Sequence, residues 1–350
     1  MARGGLIDNL GIRNFSVGED SIIVKYDDSK CDKAGDRLSE KNIFANTENW
    51  EMCVWTGIGV WCALNQEHLV ESGNIFFKKE TKEGTASGKY CEQLLGIVKK
   101  HKSEVSTLMM LEHFDPYGWR KGSATYAVSG TTVSPSVPSI ARRGEWSIGS
   151  VLDLYWHFGS VGDQYLGRVL TGINPDSPFF DLLPPHWNIT NPMSNKFVME
   201  GMEMTFGKIQ PEFRPICIRA FACMVYHSDD LIKKMIEIPG HDFSKLVFLH
   251  KKELCTELKK LVSTEPTTGG MSRATGIPPH IAHTRELCKV LEEVKGLTQA
   301  FGKQTEELVG KVCEAIDQKA FDQGNITSDR LKSLLEENKK KRELEKWWRS

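Results

Sequence analysis

A chain of 350 residues in which 40% are hydrophobic has enough apolar material for a normal core, and it could fill two domains or one domain with long extensions. No apolar run approaches the eighteen or so residues of a membrane-crossing helix, and the N-terminus MARGGLIDNLG lacks a signal-peptide core; a membrane span is excluded and an intracellular protein expected. A net charge of −1, with 18 Lys and Arg against 21 Asp and Glu over residues 1–165, excludes nucleic-acid binding by bulk charge and leaves it to local patches such as Arg142-Arg143, Lys99–Lys102 and Arg120-Lys121.

In chain order, Leu6, Ile7 and Leu10 recur at helical spacing, and SIIVKY is a β-rich run between the acidic turns Glu19-Asp20 and Asp27-Asp28, so a helix followed by a β-hairpin is predicted. A helix is expected over roughly 51–65 with Met52, Trp55, Ile58 and Trp61 on its core face. KKETKEGTASGK reads as a surface loop, and YCEQLLGIVKKH as a helix ending in a basic patch. The nine cysteines are scattered without a Cys-x-x-Cys pair, and His280 and His283 have no second ligand pair nearby, so neither a zinc site nor a disulfide framework is indicated and no cofactor is expected.

The stretch from Tyr117 to His157 concentrates residues suited to phosphate chemistry. Arg120 follows Tyr117 by three, RKGSATYAVSG reads as a helix closed by Gly130, and PSIARRG as a short helix closed by Gly144. The small residues Gly122, Ser123 and Ala124 would let the first of these pack closely and hold Arg120 rigidly. Trp146 opens an apolar-periodic run in which Ser147 is placed to cap a helix with Ile148, Val151, Leu152 and Leu154 inward, carrying Tyr155 to its last turn, nine residues after Trp146. A phenol with an ordinary pKa of about 10 needs cationic neighbours before it attacks phosphorus, and an arginine fork supplies them by binding two phosphate oxygens at once. Taken alone, the same two residues also read as an amphipathic core tyrosine and a surface arginine.

Tyr117, Arg120, Trp146 and Tyr155, with the wording WRKGSATYAVSG, ARRGEW and YWHF around them, resemble the catalytic domain of tyrosine recombinases, the phage-integrase family, and most of all the crypton-type recombinases of eukaryotic mobile elements. That signature runs His-x-x-Arg, then His or Trp, then the nucleophilic Tyr nine residues on; here Tyr117 stands where the family has histidine. The resemblance implies a mainly α fold with a small β-hairpin or sheet (α+β). It places the first catalytic arginine on Arg3 and the catalytic lysine in the hairpin, on Lys30 or failing that Lys33. It further implies double-stranded DNA as partner, a nuclear location in a eukaryote, and an N-terminal helical DNA-clamp domain that this chain, beginning at the first arginine, is expected to lack.

After Tyr155, GDQYLGRVLTGINPDSPFFDLLPPHW reads as an irregular segment, residues 193–262 as a small helical extension, and STEPTTGGMSRATGIPPH as a linker. From Thr284 the grammar changes: Leu287, Val294, Phe301, Leu308 and Ala315 recur every seven residues, with Leu291 and Val312 at the intermediate seam, so a coiled coil or helical hairpin is predicted despite Gly296, Gly302 and Gly310, and self-association through these helices with it. The predicted organisation is a catalytic domain over 1–165, an irregular and helical extension over 166–262, a linker over 263–283 and a coiled-coil-like tail over 284–350. Two functions fit it. The first is DNA breakage and rejoining through a 3′-phosphotyrosine, with Arg3 and Arg120 clamping the phosphate, Trp146 donating to it, Tyr155 attacking, Lys30 protonating the leaving oxygen and Tyr117 in the histidine's place. The second is a domesticated mobile-element protein, catalytically weak or inactive, that binds DNA or proteins; Tyr117, the acidic balance and the absent clamp favour it.

Overall fold

The computed structural model describes residues 10–27, 40–75, 86–101, 117–147, 149, 160–238, 240–323, 329, 332–333 and 335–340. These form two compact units, 1–282 and 283–350. The described part is mainly helical with small antiparallel sheets, as an α+β reading requires. No helix among the described residues is long and apolar enough to cross a membrane.

The first unit begins with a 3-10 turn at Ile12–Asn14 and a three-stranded antiparallel meander, β1 (Phe15–Val17), β2 (Ile22–Val24) and β3 (Lys41–Ile43), in register Phe15 opposite Val24 and Ile22 opposite Ile43. Ile22 and Val24 point into the core while Ile23 between them is half-exposed, the period-two pattern of a strand covered on one face. Helix α1 (Val54–Leu64) turns Trp55, Ile58 and Cys62 inward, close to the expected span; Met52, assigned to that face from the sequence, precedes the helix and is exposed. Short α2 (Gln66–Ser72) ends at Gly73, whose φ of 65° is the left-handed stop of a helix.

Further along come α3 (Ala86–Lys100), α4 (Tyr117–Ser129), α5 (Val137–Arg143) and α6 (Ser160–Val169). α3 starts inside the stretch read as a polar loop, and α6 is a regular helix where the sequence reading had an irregular segment. Ala127 of α4, Ile140 of α5 and Leu166 of α6 bury one another, with Trp146 packed on them, and this small cluster fixes the angle between the three helices.

The centre of the unit is α8 (Arg214–Tyr226), preceded by α7 (Lys196–Phe206) and followed by α9 (Ser228–Glu237) and α10 (Lys252–Lys260). Ile216, Cys217 and all of Ala220–Val225 are buried, so the stretch of α8 from Ala220 to Val225 is apolar and covered on every side. It lies along α1, where Gly59 lets Ala220 and Met224 approach the α1 backbone. One continuous core runs from Ile12, Ile22 and Trp55 through Phe206, Phe221 and Phe248 to Leu258, so elements on both sides of residue 165 share a single interior.

Residues 263–278 are held to this body. The strands β4 (His186–Trp187) and β5 (Val262–Ser263) pair antiparallel, Gly269 and Gly270 lie against the backbone of 187–190, and Thr275 bonds a buried aspartate, Asp20. The stretch that composition marks as a linker is therefore a strap. Its anchors lie far away in sequence and leave no mark on its own residues.

The second unit contains most of α11 (Pro279–Gln323), a 45-residue helix, and helical residues 329, 332–333 and 335–340. One side of α11 between 298 and 314 faces residues 332–339 across an open cavity of about 1210 Å³, so the heptad region has a fold-back segment beside it.

Candidate functional site

Of the motif residues, Arg120 and Trp146 meet at the C-terminal end of α5. Tyr117 and Arg120 both lie in the first turn of α4, one helical turn apart as their spacing implies, and the side chain of Tyr117 lies outside the described residues. Arg120 is only 5% exposed, which removes the reading of it as a surface residue. Its Nη2 donates to the carbonyl of Gly144, and the guanidinium carbon stands 5.1 Å from the ring centroid of Trp146. A carbonyl on one side and an aromatic face on another fix the plane of the fork. Gly122 and Ser123 do not do this work: no atom lies within 4 Å of where a Cβ on Gly122 would be, and the Ser123 hydroxyl donates to its own helix at Trp119.

The local sequence explains the turn. Ser136 caps α5 by accepting from the backbone of Ser139, Pro138 occupies its first turn, and Arg142 and Arg143 occupy its last, where cations suit the negative helix end. Gly144 donates back to Ile140, and a Cβ there would press on the Trp146 ring at 3.0 Å, so the glycine makes room for the tryptophan. Glu145 adopts a left-handed φ of 54°, reversing the chain so that the Trp146 amide returns to the carbonyl of Ala141 at 2.8 Å.

A second set of residues converges on this turn from β3 and α6. Lys41 extends its Nζ to the carbonyl of Arg142 at 3.2 Å, two residues from the carbonyl that Arg120 binds. Arg143 forms a buried ion pair with Asp163 at 2.8 Å and donates to the carbonyl of Asn42 at 2.9 Å. Asp163 also accepts from the amide of Asn42 at 2.5 Å, and Ser21 donates to the Asn42 side chain, so the β-sheet and the helices share one polar network. Gly167, one turn after Asp163, lets α6 lie on β3: a Cβ there would fall on the carbonyl oxygen of Asn42 and the ring of Phe44.

Burial pushes the Lys41 ammonium down to about 8, with Asp163 opposing and Arg143 adding to the fall. Burial likewise pushes the Tyr26 phenol up to about 12, with Arg143 working against it and Glu145 and Asp163 with it. Four cationic side chains (Lys41, Arg120, Arg142, Arg143) and two anionic ones (Glu145, Asp163) thus surround a single helix end. The donors seen on Lys41, Arg120 and Arg143 are bound to backbone carbonyls and to Asp163, so an anion at this turn would have to take their remaining N–H groups or displace those acceptors.

Arg3, Lys30, Lys33 and Tyr155 lie outside the described residues, as does most of the helix expected after Ser147. Sequence reasoning overlooked Lys41, Asn42 and Asp163. The only signal was Asp163-Gln-Tyr-Leu-Gly167, an acid one turn ahead of a glycine on a helix face. No protein-family model, curated protein or solved structure matches this chain.

Proposed function

We propose that this protein breaks and rejoins double-stranded DNA through a 3′-phosphotyrosine intermediate. The observation that carries the reading is the union of Arg120 and Trp146, 26 positions apart, at one helix end that also gathers Lys41, Arg142 and Arg143. The other support is the motif spacing itself. In this chemistry the Tyr155 phenol gives its proton to water as its oxygen attacks phosphorus, the bond to the 5′ oxygen breaks, and the Lys30 ammonium gives its proton to that oxygen. Arg3 and Arg120 bind the non-bridging oxygens, and the Trp146 indole N–H donates to one of them. Tyr117 donates a hydrogen bond to the phosphate where the family's histidine would. The 5′ hydroxyl of a partner strand then attacks the phosphotyrosine, Tyr155 leaves, and the ester energy passes into the new bond, so neither metal ion nor nucleotide is consumed. Exchange between duplexes takes one nucleophile per strand, and therefore several copies of the chain. In a eukaryotic cell, a DNA substrate would require a nuclear location.

A second reading, a DNA- or protein-binding module that does not cut, is favoured by two observations: Tyr117 is a weaker base than histidine near neutrality, and acids outnumber bases over residues 1–165. Incubation with supercoiled plasmid, followed by denaturant, separates the two. The enzymatic reading requires nicked DNA with covalently attached protein, lost in Tyr155→Phe. Retention of DNA on a filter with no adduct in either protein supports the binding module.

A further inference from the structure

We propose that α11 is one strand of a parallel two-stranded coiled coil, so that the partner of this surface is a second copy of the same chain. Along α11 the residues Leu287, Leu291, Val294, Thr298, Phe301, Thr305, Leu308 and Val312 follow one another by alternating steps of four and three, the spacing that keeps a seam on one side of a supercoiled helix. In that register Leu291, Thr298, Thr305 and Val312 hold the first core position, and Leu287, Val294, Phe301, Leu308 and Ala315 the second.

Four features of this face fit a second copy. The apolar members are open to solvent, Phe301 by 74% and Leu297 beside the seam by 69%. Three of the four first-position residues are β-branched and two of the five second-position residues are leucine, which matches in part the β-branched-then-leucine combination that favours two parallel strands. The two polar seam residues are prepared for burial: Thr298 donates to the carbonyl of Val294 and Thr305 to that of Phe301, each at 2.7 Å, so their hydroxyls are satisfied within the helix and their methyls remain for packing. In a parallel pair the flanking residues meet as Val290 with Lys295, Leu297 with Gly302, Gln304 with Val309 and Lys311 with Ile316, so no like charges face each other. Gly296 and Gly310 fall on the outside, as do Lys289, Lys303, Glu292 and Glu306.

The area is sufficient. Ten exposed apolar side chains between Leu287 and Ile316, at ~80 Å² apiece, give about 800 Å² per helix, the amount each partner contributes to a standard stable interface. The need is also present, because the internal glycines each cost the helix about 1 kcal/mol relative to alanine, and a helix in water draws most of its stability from packing. The fold-back segment 332–339 does not meet this need. It stands off across the open cavity beside 298–314, and Phe301 remains exposed with it in place.

Sedimentation of the full chain at micromolar concentrations tests the proposal. The expected species has twice the 39.5 kDa of one chain. Leu291→Glu, which puts a charge in the seam of the second unit, should raise the dissociation midpoint about tenfold or more; unchanged thermal unfolding of the first unit shows that the fold survives. Leu308→Cys, with Cys288→Ser and Cys313→Ser, should close a disulfide between copies under mild oxidation only if the strands are parallel. A monomer at every concentration, a dimer indifferent to Leu291→Glu, or a trimer would each overturn the proposal. So would a monomer that dimerises only after residues 329–350 are deleted, since the fold-back segment would then be the occupant. None of these readouts depends on DNA cleavage.

Discussion

Arg120 holds the carbonyl of Gly144 while its guanidinium lies 5.1 Å from the Trp146 ring, joining the start of α4 to the turn that ends α5. The contact has a structural effect whatever the chemistry. Arg120→Ala removes a charged hydrogen bond and a cation–π contact from a nearly buried place and should lower unfolding stability by about 3 kcal/mol. Trp146→Phe keeps a ring under the guanidinium and should cost about 1 kcal/mol. If the indole N–H serves the transition state, that same variant should lower the rate of adduct formation by about a hundredfold. Urea denaturation and adduct kinetics on the two proteins separate the roles.

Gly167 supports the site from behind. Gly167→Ala places a methyl group on the Asn42 carbonyl and the Phe44 ring, both fixed by the sheet, so α6 must move away from β3. A loss of about 2–3 kcal/mol in urea denaturation is expected, as for an overpacked core. Ala substitution at Gly122, where the space is open, should be neutral or slightly stabilising through its helix propensity.

The pH dependence of stability should carry the signature of Lys41. Burial favours its neutral amine, so between about pH 8 and its ordinary value of 10.5 the unfolded chain holds a proton that the folded chain has released. Stability therefore rises with pH through that window, by on the order of 3 kcal/mol. Tyr26 acts in the opposite sense: its folded pKa of about 12 against an ordinary 10.0 means that stability falls above pH 10. Lys41→Met should flatten the rise between pH 8 and 10 and leave the fall above pH 10 in place. Denaturation midpoints measured at half-unit pH steps on both proteins check this.

One anchor of the strap over 263–278 is built on a buried ion pair. Arg168 meets Asp20 at 2.5 Å and also donates to the carbonyl of Thr275, whose amide and hydroxyl in turn donate to Asp20. Asp20→Asn leaves the guanidinium without its counter-charge and should cost about 3 kcal/mol or more. Limited proteolysis should then cut between 263 and 278 at protease levels that leave the unaltered chain intact; equal resistance in both proteins would mean that the strap is held by its glycine contacts instead.

The sequence by itself determined the short-range grammar. It placed Arg120 one turn from Tyr117, ended α5 at the Arg142-Arg143 pair, put Trp55 and Ile58 on one helix face, and marked the heptads of α11, because caps and periodicities act within a few residues. Only the tertiary structure decided that Arg120 would be buried on a carbonyl, that Lys41 and Asp163 would belong to the same turn, and that a Gly- and Pro-rich stretch would be a strap. Those contacts join residues 20 to 255 positions apart, and those of Arg120 and Lys41 end on backbone carbonyls, which every residue type carries alike; no pattern of side chains along the chain can announce them.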